Sequence, residues 1–265
     1  MRLSQLLSAG LLLIAIAVPG QVLGAPDDAE VKAPVGWRAG DIGLDLDIST
    51  SLDSGSEGEP FSMAPDLWYV PTDRLRLVFG HSAQSAGGYY GTSAGSGLCL
   101  SGTAGGCPQV YDAFNLGADF LVNRGKLNLV AWARGVVATD RSLYGATVGA
   151  NLSRAVMRSG KLIVGANPNL YQGFNKRGGA NIATLNLAAY VVYVLSPTML
   201  AAVQTGLVGP LDSFVDAFAV PVSLTGMYRI NSNMGAGLAF AFRNLVGNGR
   251  SIDGRSVSIL VTWAK

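Results

Sequence analysis

The sequence predicts an all-β fold: one transmembrane, antiparallel, up-and-down β-barrel of about twelve strands. Three observations carry that expectation. Apolar residues alternate with small or polar ones at a period of two, first in Ile42-Gly43-Leu44-Asp45-Leu46-Asp47-Ile48, and this gives a strand one oily face and one wet face. Charged residues make up only 14% of the 265-residue chain while glycine fills 35 positions, a poor surface for a water-facing domain. The chain also opens with an export-type segment. A soluble sandwich buries its oily faces against each other, whereas a membrane barrel turns them to lipid and keeps small and polar faces for the lumen.

Arg2 precedes an apolar stretch over residues 6–18, a Pro19-Gly20 break and small-residue positions at Val22 and Gly24. This is the pattern of a secretory signal peptide, residues 1–24, cut after Gly24. Its apolar run falls short of the ~20 residues of a spanning helix. Residues 25–36, with Asp27, Asp28 and Glu30, read as a polar periplasmic lead-in, and 37–265 as a single barrel domain with no internal linker. With 19 basic and 17 acidic residues, no field is strong enough to imply a nucleic-acid partner.

Alternation and turn residues place strands at 38–49, 63–70, 74–80, 110–123, 126–139, 143–153, 161–172, 182–195, 199–208, 214–229, 234–243 and 254–263. Pro71-Thr72-Asp73, Arg124-Gly125, Arg158-Ser159-Gly160, Ser196-Pro197-Thr198 and Asn231-Ser232-Asn233 supply tight reversals. The connections near 51, 82, 140, 175, 210 and 247 look longer, and the longest, 82–109, holds both cysteines. Short turns on one side and long loops on the other are the habit of such barrels, and they put both termini in the periplasm. Cys99 and Cys107 have seven residues between them in a Gly/Ser-rich segment, which in an exported protein predicts a disulfide. A metal pair is disfavoured, because 82–110 contains no acidic residue and His81 is the one histidine of the chain.

Taking the oily alternates as lipid-facing puts Leu75, Leu77, Phe79, Phe114, Leu116, Phe120, Leu127, Leu129 and Ala131 outside. Arg74, Arg76, Asn115, Asp119, Lys126, Asn128, Trp132 and Arg134 then face inward. Charge on the lumen side concentrates in the first five strands, with Asp41, Asp45, Asp47, Arg74, Arg76, Asp119, Lys126 and Arg134, while the last seven offer mostly Gly, Ala, Ser, Thr and Asn. Arg74 and Arg76 begin an ascending strand and Asp119 ends a descending one, so they should meet at similar depth. Asp45, Asp47, Arg74, Arg76, Asp119 and Arg134 are therefore the candidate lumen residues. They either set a transverse field across a constriction or neutralise one another in a packed, water-poor lumen; the sequence leaves both readings open. Aromatic residues near strand ends, among them Trp37, Trp68, Tyr69, Tyr89, Tyr90, Tyr111, Tyr144, Tyr171, Tyr228 and Trp263, fit interfacial girdles.

Residues 182–208 would also pass as an apolar helical span. Asn186, Pro197, Gln204 and the β-branched and aromatic run Tyr190-Val191-Val192-Tyr193-Val194 argue for strands instead. The closing alternation Val257, Ile259, Val261, Trp263 resembles the terminal strand of bacterial outer-membrane β-barrel proteins, although here Ala264 and Lys265 follow it. That resemblance covers nearly all of the chain after the export segment and implies residence in the Gram-negative outer membrane.

No phosphate loop of the G-x-x-x-x-G-K type and no zinc spacing occurs. His81 beside Ser82 at a loop edge leaves an outer-membrane lipid hydrolase as a minor alternative. The sequence therefore points to a passive, porin-like channel for small hydrophilic solutes, with no catalytic residue, cofactor or metal expected and with lipid as its surroundings. The other reading is a closed barrel with a structural or surface-interaction role.

Overall fold

A computed structural model describes residues 37–52, 61–81, 98–101, 113–138, 143–156, 160–175, 181–247 and 251–265. Its strands are β1 (Ile42–Ser51), β2 (Phe61–Thr72), β3 (Leu75–Gly80), β4 (Leu98–Ser101), β5 (Ala113–Asn123), β6 (Asn128–Ala138), β7 (Leu143–Ala155), β8 (Leu162–Gly173), β9 (Thr184–Ser196), β10 (Met199–Pro210), β11 (Ala219–Arg229), β12 (Met234–Gly247) and β13 (Ser251–Ala264). Apart from β4, each pairs antiparallel with the next, and β1 pairs with both β2 and β13. Leu46 has Pro65 opposite it on one edge and Val261 on the other. The ring thus closes with twelve staves.

The extra strand β4 lies in what the sequence reads as loop. It pairs with the start of β2, through Phe61 and Met63, where β3 has already ended. Together β3 and β4 make one interrupted stave. Pro65 sits at the interruption, and its carbonyl meets His81 Nδ1 at 2.6 Å. In a strand the amide and carbonyl of one residue point the same way, so the proline's missing N–H falls where the ladder changes partner.

A second departure is at residues 214–217, expected as strand. Pro210 ends β10, and the chain makes a 3-10 turn at Leu211–Ser213 and a helical turn at Phe214–Ala217 before β11 begins. Phe214, Val215 and Phe218 supplied an apolar signal that local turn geometry overrode. Likewise, residues 38–41 form a turn in which Gly40 has φ of +96° and Asp41 accepts a hydrogen bond from the Arg38 N–H. Residues 182–208 form the β9–β10 hairpin, and among the described residues no helix is long and apolar enough to cross a membrane.

Both ends of the barrel chain lie at the rim of the short turns, where the Ala264 N–H bonds the Asn233 carbonyl and the Gly40 N–H bonds that of Val70. The opposite rim is less uniformly long-looped than expected. Only 139–142 separate β6 from β7, and only 248–250 separate β12 from β13.

Burial is inverted relative to a soluble protein. Leu116, Phe120, Val148, Leu238 and Ile259 are about half exposed on the outer surface, while Asn115 and Thr147 are fully enclosed and Asp119 is 2% exposed. Only a lipid exterior makes that arrangement favourable. Two apolar clusters lie inside. Trp37, Trp68, Val70, Val78, Leu121, Val130 and Ala264 pack behind the short-turn rim, and Ile163, Tyr190, Val192, Leu200 and Ala202 pack with Met227 along β8–β11. Trp37, Trp68 and Tyr171 therefore belong to the interior and not to an outer girdle; Tyr69, Tyr144 and Tyr228 are the exposed ones. Trp68 lies inside because it alternates with Leu67 and Tyr69, which take the lipid side.

Candidate functional site: the inner wall

Cross-strand partners share a face, so the register fixes which residues line the lumen. Arg76 on β3 is opposite Asp119 on β5, and Asp119 is opposite Trp132 on β6. Two residues further along β6 stands Arg134. The Asp119 Oδ2 accepts from Arg76 Nε at 2.7 Å and Nη2 at 2.6 Å, and its Oδ1 accepts from Arg134 Nη2. Arg134 Nη1 also donates to the carbonyls of Ala118 and Ala133. One carboxylate thus clamps two guanidinium groups.

The surroundings are apolar. The Arg76 guanidinium lies 5.0 Å from the Trp37 ring and 5.9 Å from that of Trp68, and Arg134 lies 5.5 Å from Trp132. All three charged residues are 9% exposed or less. Guanidinium groups tolerate this better than ammonium, since they are weakly hydrated and stack on aromatic faces.

The acids of β1 are placed differently. Asp45 and Asp47 are half-buried on the inner face, and Asp45 has Asp66 of β2 directly opposite it. Asp45 Oδ2 accepts from Trp68 Nε1 at 3.1 Å, Asp47 is hydrogen-bonded to Ser258, and Asp66 Oδ1 accepts the His81 N–H at 2.7 Å. Asp66 is absent from the sequence-derived candidates, although alternation with Leu67 would have assigned it inward.

Of the remaining candidates, Arg74 and Lys126 are exposed in the short turns, because β3 starts at Leu75 and β6 at Asn128. Asp41 caps the turn before β1. The Cys99–Cys107 bridge, the export segment, the lead-in and Ser82 lie outside the described residues. His81 is 6% exposed, with its ring edge-on to Phe79 at 4.9 Å and Nδ1 on the Pro65 carbonyl. Its ring is engaged in holding the β2–β3 junction.

The far wall carries amides and aromatics. Trp132 Nε1 donates to Asn167 Oδ1 at 2.9 Å and Tyr190 Oη to Asn151 Oδ1 at 2.7 Å. The large rings lie flat across glycines of neighbouring strands. A Cβ on Gly43 would stand 2.2 Å from the Trp68 ring, and one on Gly165 2.4 Å from the Tyr190 ring. Glycine at these places gives an aromatic ring room to lie against the neighbouring strand.

No family model matches this sequence, and no curated protein matches it. Among solved structures the chain is similar to the NanC porin, with TM-score 0.57 and 11% identity over 83% of this chain and 99% of that one. The KdgM porin gives TM-score 0.56 and 8% identity over 83% and 98%. The COG4313 outer membrane channel from Pseudomonas putida F1 gives 0.56 and 12% over 91% and 100%. The fold is a porin-type barrel. At these identities the likeness is one of backbone architecture, and what fills this barrel has to be read from its own side chains.

Proposed function

We propose that this protein is an outer-membrane channel for passive passage of small hydrophilic solutes. The observation that carries the reading is the inverted wall: rows of exposed leucine, phenylalanine and valine outside, and enclosed hydroxyls, amides and carboxylates inside, along a ring closed by the β1–β13 pairing. A soluble domain has no use for that distribution, and a membrane barrel needs it. The export pattern of residues 1–24 supports an outer-membrane address, and the rim shared by the termini and short turns supports a periplasmic side for both ends. The likeness in fold to the NanC and KdgM porins and the COG4313 channel supports the same reading.

The experiment is planar-bilayer conductance of the purified, heat-modifiable barrel, together with swelling of proteoliposomes in small sugars. Stepwise conductance and swelling are expected. One observation favours a second reading, a closed structural barrel: the apolar cluster and the Arg76–Asp119–Arg134 clamp fill part of the lumen behind the short-turn rim. A folded barrel that neither conducts nor admits sugars would establish that reading instead.

A further inference from the structure

We propose that the water path of this channel runs off-axis, along β1 and β11–β13, and that Asp45, Asp47 and Asp66 make it prefer cations. The inference rests on the channel reading above and goes beyond it by naming the route and the sign of its charge. It starts from how differently the two halves of the wall are filled.

On β3 and β5–β7 the inner side chains are sealed from water: Arg76, Asn115, Asp119, Arg134 and Thr147 are all 9% exposed or less. On β11–β13 most inner residues between the rims are small and half-open, with Met227 turned onto the apolar cluster. Following the register across those strands, Ser223 is opposite Ala241, Thr225 opposite Ala239, Ala239 opposite Ser258, and Thr262 opposite Asp45. All of these are only partly buried. Side chains of this size cannot reach across the barrel, so space remains beside them, whereas on the other half long side chains and indole rings have closed it. Water therefore has room on one side only.

The charges divide along the same line. The two lumen guanidinium groups with the strongest claim to set an anionic preference are withdrawn into the sealed half, where Asp119 neutralises one of their two charges and Trp37 and Trp68 cover Arg76. Trp68 is the partition. One edge of its indole holds Asp45 while its ring lies toward Arg76 on the other side. That leaves the open half with the carboxylates of Asp45, Asp47 and Asp66. Arg229, the last residue of β11, stands on this wall at the short-turn rim.

Asp45 and Asp66 face one another across adjacent strands, and like charges so placed repel. A passing cation relieves that repulsion and an anion adds to it. In a narrow passage between low-dielectric walls, close-range charge acts with little screening.

The test measures reversal potential under a potassium chloride gradient for the wild type, the triple variant Asp45→Asn/Asp47→Asn/Asp66→Asn, and two single variants, Ala239→Trp and Thr147→Val. Each is first shown to be folded by its heat-modifiable gel shift. The wild type is expected to prefer potassium, and the triple variant to bring the potassium-to-chloride permeability ratio close to equality. Ala239→Trp should cut single-channel conductance severely, because it puts bulk into the open half, while Thr147→Val in the sealed half should leave it unchanged. A conducting wild type that prefers chloride, or a folded triple variant with unaltered selectivity, overturns the assignment of charge. Conductance insensitive to Ala239→Trp overturns the off-axis route. Absence of conductance in folded wild type is a different failure, that of the channel reading itself.

Discussion

Asp119 is the residue on which the sealed half of the lumen depends. It is nearly wholly enclosed and is the shared partner of Arg76 and Arg134. A buried ion pair is no guarantee of net stability, since each partner has lost its water, but removing one partner strands the other. Replacing Asp119 with Asn should therefore cost about 3–5 kcal/mol, the range for breaking a buried pair, seen as a lower urea midpoint for unfolding of the refolded barrel. Asn115, equally buried four residues away on β5, is neutral, so replacing it with Ala should cost far less than the charge mismatch does. An Asp119→Asn barrel with unchanged midpoint would mean that water reaches the clamp.

Among the elements, the third stave is the unusual one, broken between β3 and β4 and resumed by a segment that includes Cys99. A bridge from Cys99 to Cys107 closes a short loop and so contributes only ~2–3 kcal/mol by the chain-entropy argument. Its effect should be local, because the twelve-stave ring is closed by β1 and β13 without it. The double change Cys99→Ser/Cys107→Ser is expected to keep the heat-modifiable gel mobility of the wild type while raising protease sensitivity within 82–109. Failure of that variant to assemble in membranes would show that β4 is needed for closure.

Strand ends were harder to read than strand existence for identifiable reasons. Apolar Phe214 and Val215 look like strand, yet Pro210 has already removed the ladder donor and the chain coils into a helical turn. Leu98–Ser101 is too short to stand out from glycine-rich sequence, and becomes a strand because the edge of β2 beyond β3 offers it partners.

At the scale of the whole molecule, orientation is the open quantity that experiment can fix. The termini share a rim with the turns at 73–74, 197–198 and 230–233. If that rim is periplasmic, cysteines introduced at Asn231 or Thr198 in the Cys-free background should resist a membrane-impermeant thiol reagent on intact cells. A cysteine at Ser213, in the helical turn of the opposite rim, should react. Labelling in the reverse sense would invert the barrel and move the Arg76–Asp119–Arg134 clamp to the outer mouth.

The period-two alternation, by itself, determined the fold class, the inward placement of Asp45, Asp47, Arg76, Asp119 and Arg134, and the lipid-facing rows, because successive strand residues must point to opposite faces whatever surrounds them. It also contained Asp66, had the faces of β2 been followed. Alternation says nothing about how far a side chain is covered. Arg76 and Asp119 are 43 positions apart and Asp119 and Arg134 are 15, and only strand register brings them into one clamp. Arg74 lies two residues before Arg76, and the chain's turn leaves it in water. How the lumen is packed is likewise decided by tertiary structure: indole rings can cross to a neighbouring strand only where a glycine has left room for them. That packing, set by ring closure and not by any local pattern, decides which of the inward charges are enclosed and paired.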